Sequence, residues 1–343
     1  MSVAIDSYPG KPLPTSISRK FGPAIPEVKC VNLALQGGGA HGAFTWGVLD
    51  RLLEEPCIEV EGVSATSAGA MNAAAMAHGL TTGGRKGARE ALEEFWHGVA
   101  RVSAPFGALQ LFEVMSRFLS RYQLNPFNYN PLRQLILQCI DFERLRLSSA
   151  IKLFVSATNV RTGKVKVFTD KEITADCVLA SACLPFLYQA VEIDGEHYWD
   201  GGYMGNPALF PLIYSCQSRD ILIVHVNPIE RPDKPTSACD IMNRVNEISF
   251  NSSLMREMRA IAFVTKLIDD GKLSQGDAKR VLIHSVCADD VMCELGAASK
   301  LNADVGFLRQ LREVGRERAQ AWIDNHFDDL GSRSTVDIRA TYL

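Results

Sequence analysis

The sequence predicts an α/β domain built on a mainly parallel central sheet, and three observations carry that prediction. A short apolar run at Val31, Leu33 and Leu35 ends in Gly37-Gly38-Gly39, as a buried strand does when it enters a tight loop. A helix-spaced stripe follows at Phe44, Val48, Leu49, Leu52 and Leu53, within Ala43 to Glu55. A second run, Ile58 to Val63, leads into Ser67 and a helix of small residues from Ala68 to about Ala77. Strand, helix, strand, helix in this order sets neighbouring strands parallel, because the crossover helix returns the chain to the same end of the sheet.

The later elements extend this pattern. Arg85 to Val102 reads as a helix. Ala104 to Asn130 carries Phe106, Leu109, Leu111, Phe112, Met115, Phe118 and Leu119 among polar residues, which describes either a core helix or a lid or interfacial anchor. Ile151 to Ala157 and Val165 to Phe168 are strands joined at Arg161-Thr162-Gly163-Lys164, and Asp194-Gly195 marks a hairpin between Val191–Ile193 and His197–Trp199. Ile221 to Val226 and Val281 to Val286 read as buried strands, with helices at about 241–268 and 304–325. In the first of these helices Val245, Ile248, Met255, Met258 and Ile261 share a face, expected to be core or a dimer surface. Asn227 to Ser237, with three prolines, is a long loop. No internal repeat breaks the chain. The expected organisation is a Pro-rich leader at 1–28, one domain at 29–330 and a tail at 331–343.

Composition narrows the function classes. The 343 residues are 47% hydrophobic and 22% charged, ordinary for a chain with a substantial core. Thirty-six Lys and Arg against 39 Asp and Glu give a net charge of −3, which argues against nucleic acid held by a broad basic surface. The longest apolar stretches fall short of the roughly 18–20 residues that span a bilayer, and the N-terminus lacks an apolar signal core. A cytoplasmic location is expected. The nine cysteines include no CxxC pair, so neither a disulfide framework nor a zinc site is expected.

Two clusters carry chemistry. Gly37-Gly38-Gly39-Ala40-His41-Gly42 lies between a strand and a helix, where backbone N–H groups can face an anion. The same spacing describes a dinucleotide-binding turn, with Glu59 near the distance of a ribose contact, or a purely structural turn. Ala65-Thr66-Ser67-Ala68-Gly69 sits at a strand-to-helix turn, the setting of a nucleophile elbow. Ser67 could instead be an N-cap, but a cap does not need small residues on both sides. A serine nucleophile needs a base. None of the seven histidines has a context that marks it as one; Asp200 follows a strand and precedes Gly201-Gly202, a base or an ordinary Asp-Gly turn.

With these residues in view, the chain resembles the patatin-like phospholipase family, well over about residues 30–215 and weakly beyond. The motifs occur in order: Gly37 to Gly42, Ala65 to Gly69, Ala180-Ser181 with Pro185 and Phe186, then Asp200 to Gly202 with Tyr203 to Pro207. The resemblance implies a three-layer α/β/α fold and a Ser67–Asp200 dyad; no cofactor or metal is expected. It further implies hydrolysis of phospholipid or other acyl esters through an acyl-enzyme. The oxyanion would be held by N–H groups of Gly38, Gly39 and Ala68, in a site lined by Gly37, Ala40 and Gly42. An acyltransferase sharing the acyl-enzyme, or a non-catalytic lipid-binding protein in peripheral contact with a membrane, is the alternative. Two departures stand out. The elbow opens with Ala65 where the family usually has glycine, and the loop carries His41 where it often has Arg or Lys. A neutral histidine would weaken the positive field there, and its charge is expected to vary with pH.

Overall fold

In the computed structural model, which describes residues 27–103, 125, 128–148, 150–185, 187–232, 234–274 and 278–343, β1 (Lys29–Leu35) lies near the middle of an eight-stranded sheet. It pairs in parallel with β2 (Ile58–Ala65) on one side and β7 (Asp220–Val224) on the other. The parallel block continues outward to β3 (Lys152–Asn159) and β8 (Leu282–Val286). β4 (Val165–Thr169) runs antiparallel to β3, and β5 (Val191–Ile193) with β6 (Glu196–Asp200) forms a hairpin whose β6 also runs antiparallel to β3. The run into the glycine loop is buried throughout because helices cover both faces of the sheet, which is why it reads as nearly continuous apolar sequence.

The strand period sorts β1 between two cores. Val31, Leu33 and Leu35 face a core shared with α1 (Gly42–Glu54) and α2 (Ala68–Ser103). Ala34 faces the other, formed with Ile221, Ile223 and Ile283. This is a three-layer α/β/α arrangement. α2 is kinked at Gly83 and Gly84, whose backbone is not helical, so the predicted helices at 68–77 and 85–102 form one bent element. α3 (Pro131–Cys139), α4 (Phe142–Ser148) and α5 (Ala175–Ser181) surround the β3 side. α6 (Phe210–Ser215) and the long α7 (Ala238–Asp269) cover the second face. After the short α8 (Asp289–Met292), α9 (Val305–His326) packs on α1, and α10 (Ile338–Tyr342) closes the chain.

Some sequence expectations are refined by the structure and others fall outside this description. The strand expected at 221–226 ends at Val224. The α7 face expected to be core or a dimer surface divides: Met258 and Ile261 are core, while Val245 and Ile248 are each 55% exposed, because the first turns of α7 project one apolar edge away from the sheet. The amphipathic stretch 104–130 lies mostly outside the described residues, as do residues 1–26 of the expected leader and Phe186. Residues 331–343 lie against the open edge of β8. Ser334 Oγ accepts the Ile283 N–H at 3.0 Å, the Thr335 N–H donates to the Ile283 carbonyl at 3.1 Å, and Tyr342 is buried.

Sheet topology sets where the chemistry can occur. β4 pairs with residues 154–158 of β3 along one edge, so β2 and β6 must share the other. β2 flanks β3 as far as Val155, and β6 approaches from the opposite direction to end with Asp200 opposite Ala157. The two strands therefore finish almost head to head across Ser156.

Candidate active site

Ser67 follows the end of β2 and precedes α2, and its backbone is left-handed, with φ of 55°. For a residue carrying a Cβ this conformation costs on the order of 1 kcal/mol, and it recurs where a side chain must be thrust out of a tight turn. The turn is held by three buried contacts. The Ser67 N–H donates to Ser181 Oγ at 2.8 Å, Thr66 Oγ1 donates to the Gly205 carbonyl at 2.6 Å, and the Gly69 N–H donates to the Thr66 carbonyl at 2.9 Å. A Cβ on Gly69 would run into the backbone of Leu35 and Gln36, so only glycine lets α2 start this close to β1. Ala65 is fully buried as the last residue of β2, and the extra methyl is absorbed in the core.

Asp200 ends β6. Its N–H donates to the Cys183 carbonyl at 2.8 Å and its carbonyl accepts from Thr158 Oγ1 at 2.8 Å. Oδ1 accepts the Gly202 N–H at 2.7 Å, while Oδ2 has no hydrogen bond of regular geometry. Burial pushes this carboxyl up to about 7; the Gly202 N–H, the nearby Ser67 hydroxyl and the charge of Lys300 oppose that rise. The head-to-head strand ends thus bring Ser67 and Asp200 together, with a buried carboxyl oxygen left without a firm partner. A Cβ on Gly201 would collide with the Ser156 carbonyl, and Gly202 packs against the Phe250 ring, so the two glycines let the chain leave β6.

The glycine loop passes directly over the elbow, where a Cβ on Gly37 would meet that of Ser67. Its N–H groups divide into two kinds. That of Gly37 is already taken by Asn206 Oδ1 at 2.7 Å. Those of Gly38 and Gly39 have no acceptor among the described residues, and Ala68 opens α2 with an N–H that has no intrahelical partner. Gly37 therefore serves to anchor the loop, and the free donors are those of Gly38, Gly39 and Ala68. Ala40 and Gly42 lie buried in the turn that leads into α1.

His41 differs from expectation. Burial, followed by the nearby charges of Lys300 and Arg231, pushes its imidazole down to about 3, so the ring is neutral at any ordinary pH and does not titrate there. Its Nε2 lies 2.7 Å from Ser299 Oγ. Other histidines are engaged elsewhere: His225 with the Tyr342 hydroxyl at 2.7 Å, His284 with Asp220 at 2.9 Å and His326 with Asp329 at 3.0 Å. Among the described residues no histidine is hydrogen-bonded to Ser67. Nor does any group of three or more His, Cys, Asp or Glu there have metal-binding geometry. Glu59 pairs with Cys30 at the start of β1, about 20 Å along the strand from the glycine loop. A ribose-binding acid would stand at the other end of the sheet, so the dinucleotide reading loses its second element.

Sequence reasoning missed a polar layer beneath the loop. Gln36 Oε1 accepts the N–H groups of Val226 and Asn227 at 3.0 and 3.1 Å, and the Asn227 side chain donates to the Gly37 carbonyl at 2.7 Å. Lys300 Nζ donates to Asn227 Oδ1 at 2.7 Å. Gln36 adjoins the glycine motif and Asn206 lies within the Tyr203–Pro207 stretch, so both were within reach of the motifs. Asn227 and Lys300 had no local signal. Beside the site a cavity of about 400 Å³ is lined by Leu179, Cys183, Tyr188, Val191 and His197, but not by Ser67 or Asp200.

A mostly parallel sheet flanked by helices, with Ser67 in a left-handed turn at the C-terminal ends of its strands, defines a three-layer α/β/α protein. Residues 33–213 match the patatin-like phospholipase family, and the chain belongs to that family. Among solved structures it is similar to VipD from Legionella pneumophila, at 14% identity over 88% of this chain and 67% of that one, with a TM-score of 0.43. No curated protein matches it.

Proposed function

We propose that this protein is a lipid acyl hydrolase of the phospholipase A or lysophospholipase type, with Ser67 as nucleophile and Asp200 as base. The observation that carries this reading is the left-handed Ser67 beside a buried carboxyl raised to about 7. An ordinary carboxylate is too weak a base for a serine hydroxyl, and a pKa near the working pH removes much of that mismatch. The ionised Asp200 takes the proton as Ser67 Oγ attacks the ester carbonyl. The N–H groups of Gly38, Gly39 and Ala68 then receive the oxyanion, each such donor typically worth about 3–4 kcal/mol in the transition state. Collapse of the tetrahedral adduct breaks the ester C–O bond, and the leaving alcohol takes the proton back from Asp200. Water, deprotonated by the same carboxylate, attacks the acyl-enzyme, releasing the fatty acid and restoring the Ser67 hydroxyl.

Family membership supports phospholipid or a related acyl ester as the substrate class, and the contact with a lipid surface is peripheral in this proposal. No helix among the described residues is long and apolar enough to cross a membrane. A fluorophosphonate should label the wild type and fail to label Ser67→Ala. Turnover of a p-nitrophenyl ester should fall at least 10³-fold in Ser67→Ala and in Asp200→Asn. Asp200→Asn retaining most activity while a histidine variant loses it would remove Asp200 from the mechanism. Mass spectrometry of lipid products separates the outcomes: free fatty acid for a hydrolase, a new ester for an acyltransferase, and vesicle binding without turnover for a lipid-binding protein.

A further inference from the structure

The glycine loop carries no cation of its own, since His41 is neutral and engaged by Ser299. A cation linked to the loop comes instead from the 3-10 turn Ala297–Leu301, far downstream in the chain. That turn is pressed onto the loop. Gly39 has φ of 59°, and a Cβ there would strike the Lys300 carbonyl. The Lys300 side chain reaches Asn227 Oδ1, and Asn227 in turn holds the Gly37 carbonyl. One amide therefore links the ammonium to the backbone that would receive the oxyanion.

Lys300 is also without a counter-ion. An ammonium has three donors, and among the described residues one is used, on a neutral amide. The acids that act on it are Glu247, already held by Arg231 at 2.5 Å and Arg244 at 3.3 Å, and Asp200. Lys300 is part-buried and its one protein partner is a neutral amide, so its charge remains available to a negative charge at this site. The negative charges belonging to this site are the Asp200 carboxylate and the oxyanion formed in turnover.

We propose that Lys300 is a positioning residue of the Ser67 site, its ammonium setting the positive field over the glycine loop and favouring ionised Asp200 and the oxyanion. The inference rests on the acyl-hydrolase reading. The groups facing Asp200 make the electrostatics simple: Ser67 and Gly202 act by hydrogen bonds and Lys300 through its charge, while Cys183 and Tyr203 feel the charge of Asp200. Burial pushes the Cys183 thiol and the Tyr203 phenol up to about 12, so both are neutral near pH 7. Lys300 itself is faced by Glu247, Arg231, Asp200 and the neutral His41.

The test is the pH dependence of kcat and kcat/KM for wild type, Lys300→Met, Lys300→Gln and Lys300→Arg, on a neutral p-nitrophenyl ester and on phosphatidylcholine vesicles. Lys300→Met and Lys300→Gln should each lower kcat roughly tenfold on both substrates, less than the 10²–10³ loss for a direct oxyanion donor, with KM little changed. The acid limb of kcat/KM should move to higher pH, because losing a nearby positive charge favours the protonated carboxyl. Lys300→Arg should restore both properties. Gln can still donate to Asn227, so it preserves the link without the charge and stands in if the Met variant does not fold. Unchanged kcat and acid limb in Lys300→Gln would overturn the inference, leaving Lys300 a strut for Asn227. A loss confined to phospholipid would also overturn it, assigning the ammonium to the substrate phosphate. Ser67→Ala, run alongside, reports on the underlying reading: residual activity there removes the nucleophile and the inference together, whereas a dead Ser67→Ala with an unshifted Lys300→Gln profile removes only the inference.

Discussion

Ser67 and Asp200 show opposite forms of stored cost. The serine holds a strained backbone, and the aspartate holds a carboxyl in a site that disfavours its charge. The sign of the second can be worked out. An unfolded Asp ionises near pH 4, whereas Asp200 in the folded chain stays protonated up to about 7. Between those values the unfolded state binds fewer protons, so this residue's contribution to stability falls as pH rises and then levels off above about 7. Asp200→Asn keeps the acceptor for the Gly202 N–H and removes the buried charge. It should therefore abolish turnover while raising Tm by a few degrees at pH 8, with little change at pH 4. Melting curves at the two pH values check this, and an equal or lower Tm at pH 8 contradicts the burial argument. As the proposed base, the same carboxyl should place the acid limb of kcat/KM near pH 7, read from a pH–rate profile.

At the scale of elements, the close fit of α1 and α9 sets how firmly the elbow's scaffold is held. Gly47 of α1 faces the Arg312 backbone, and Gly315 of α9 faces the Phe44 carbonyl, so two helix backbones meet without intervening side chains. Asp50, one turn on, accepts from Arg89, Arg312 at 2.8 Å, and Arg316. Burial alone would raise the Asp50 carboxyl, but the three guanidinium groups hold it below the usual range. Replacing an interior helical glycine by alanine ordinarily stabilises by about 0.5–1 kcal/mol. At Gly47 the added methyl has nowhere to go, and overpacking of about 1–3 kcal/mol outweighs that gain. Gly47→Ala should thus destabilise by roughly 1–2 kcal/mol in urea titration, and a higher midpoint would show that the helices can part. The elements themselves were largely legible. The continuously buried run of β1, the alanine-rich face of α2 and the Asp194-Gly195 hairpin all follow local sequence pattern or turn chemistry. The exposed edge of α7 was not, because a helical stripe shows that residues share a face and not whether anything covers it.

For the whole molecule, the last residues complete the sheet that carries the site. β8 is an edge strand, and residues 331–343 cover it while Tyr342 fills the second core and meets His225. His225 is buried, which pushes its imidazole down to about 4, so the pair is a neutral hydrogen bond across physiological pH. Removing 331–343 should lower stability by roughly 2 kcal/mol or more, from lost aromatic burial and exposed strand edge. Activity per folded molecule should persist, since β2, which precedes Ser67, and β6, which ends in Asp200, lie three and five strands from β8. Differential scanning calorimetry of the truncated chain reads the first effect, and an unchanged Tm would mean these residues contribute no net stability.

The amino-acid sequence alone determined most of the strand and helix order and the glycine and serine motifs, because each is written in local spacing; the pairing of Ser67 with Asp200 rests on resemblance to a family whose motifs occur in the same order. Only the tertiary structure decided which loop N–H groups are free, why His41 is uncharged, and that Lys300 and Asn227 lie beneath the glycine loop. Those properties depend on burial and on contacts between segments far apart in the chain: desolvation silences His41, Asn206 occupies one donor, and a distant turn delivers a cation. Spacing along a chain carries no record of such meetings, since it is the packing of layers that creates them.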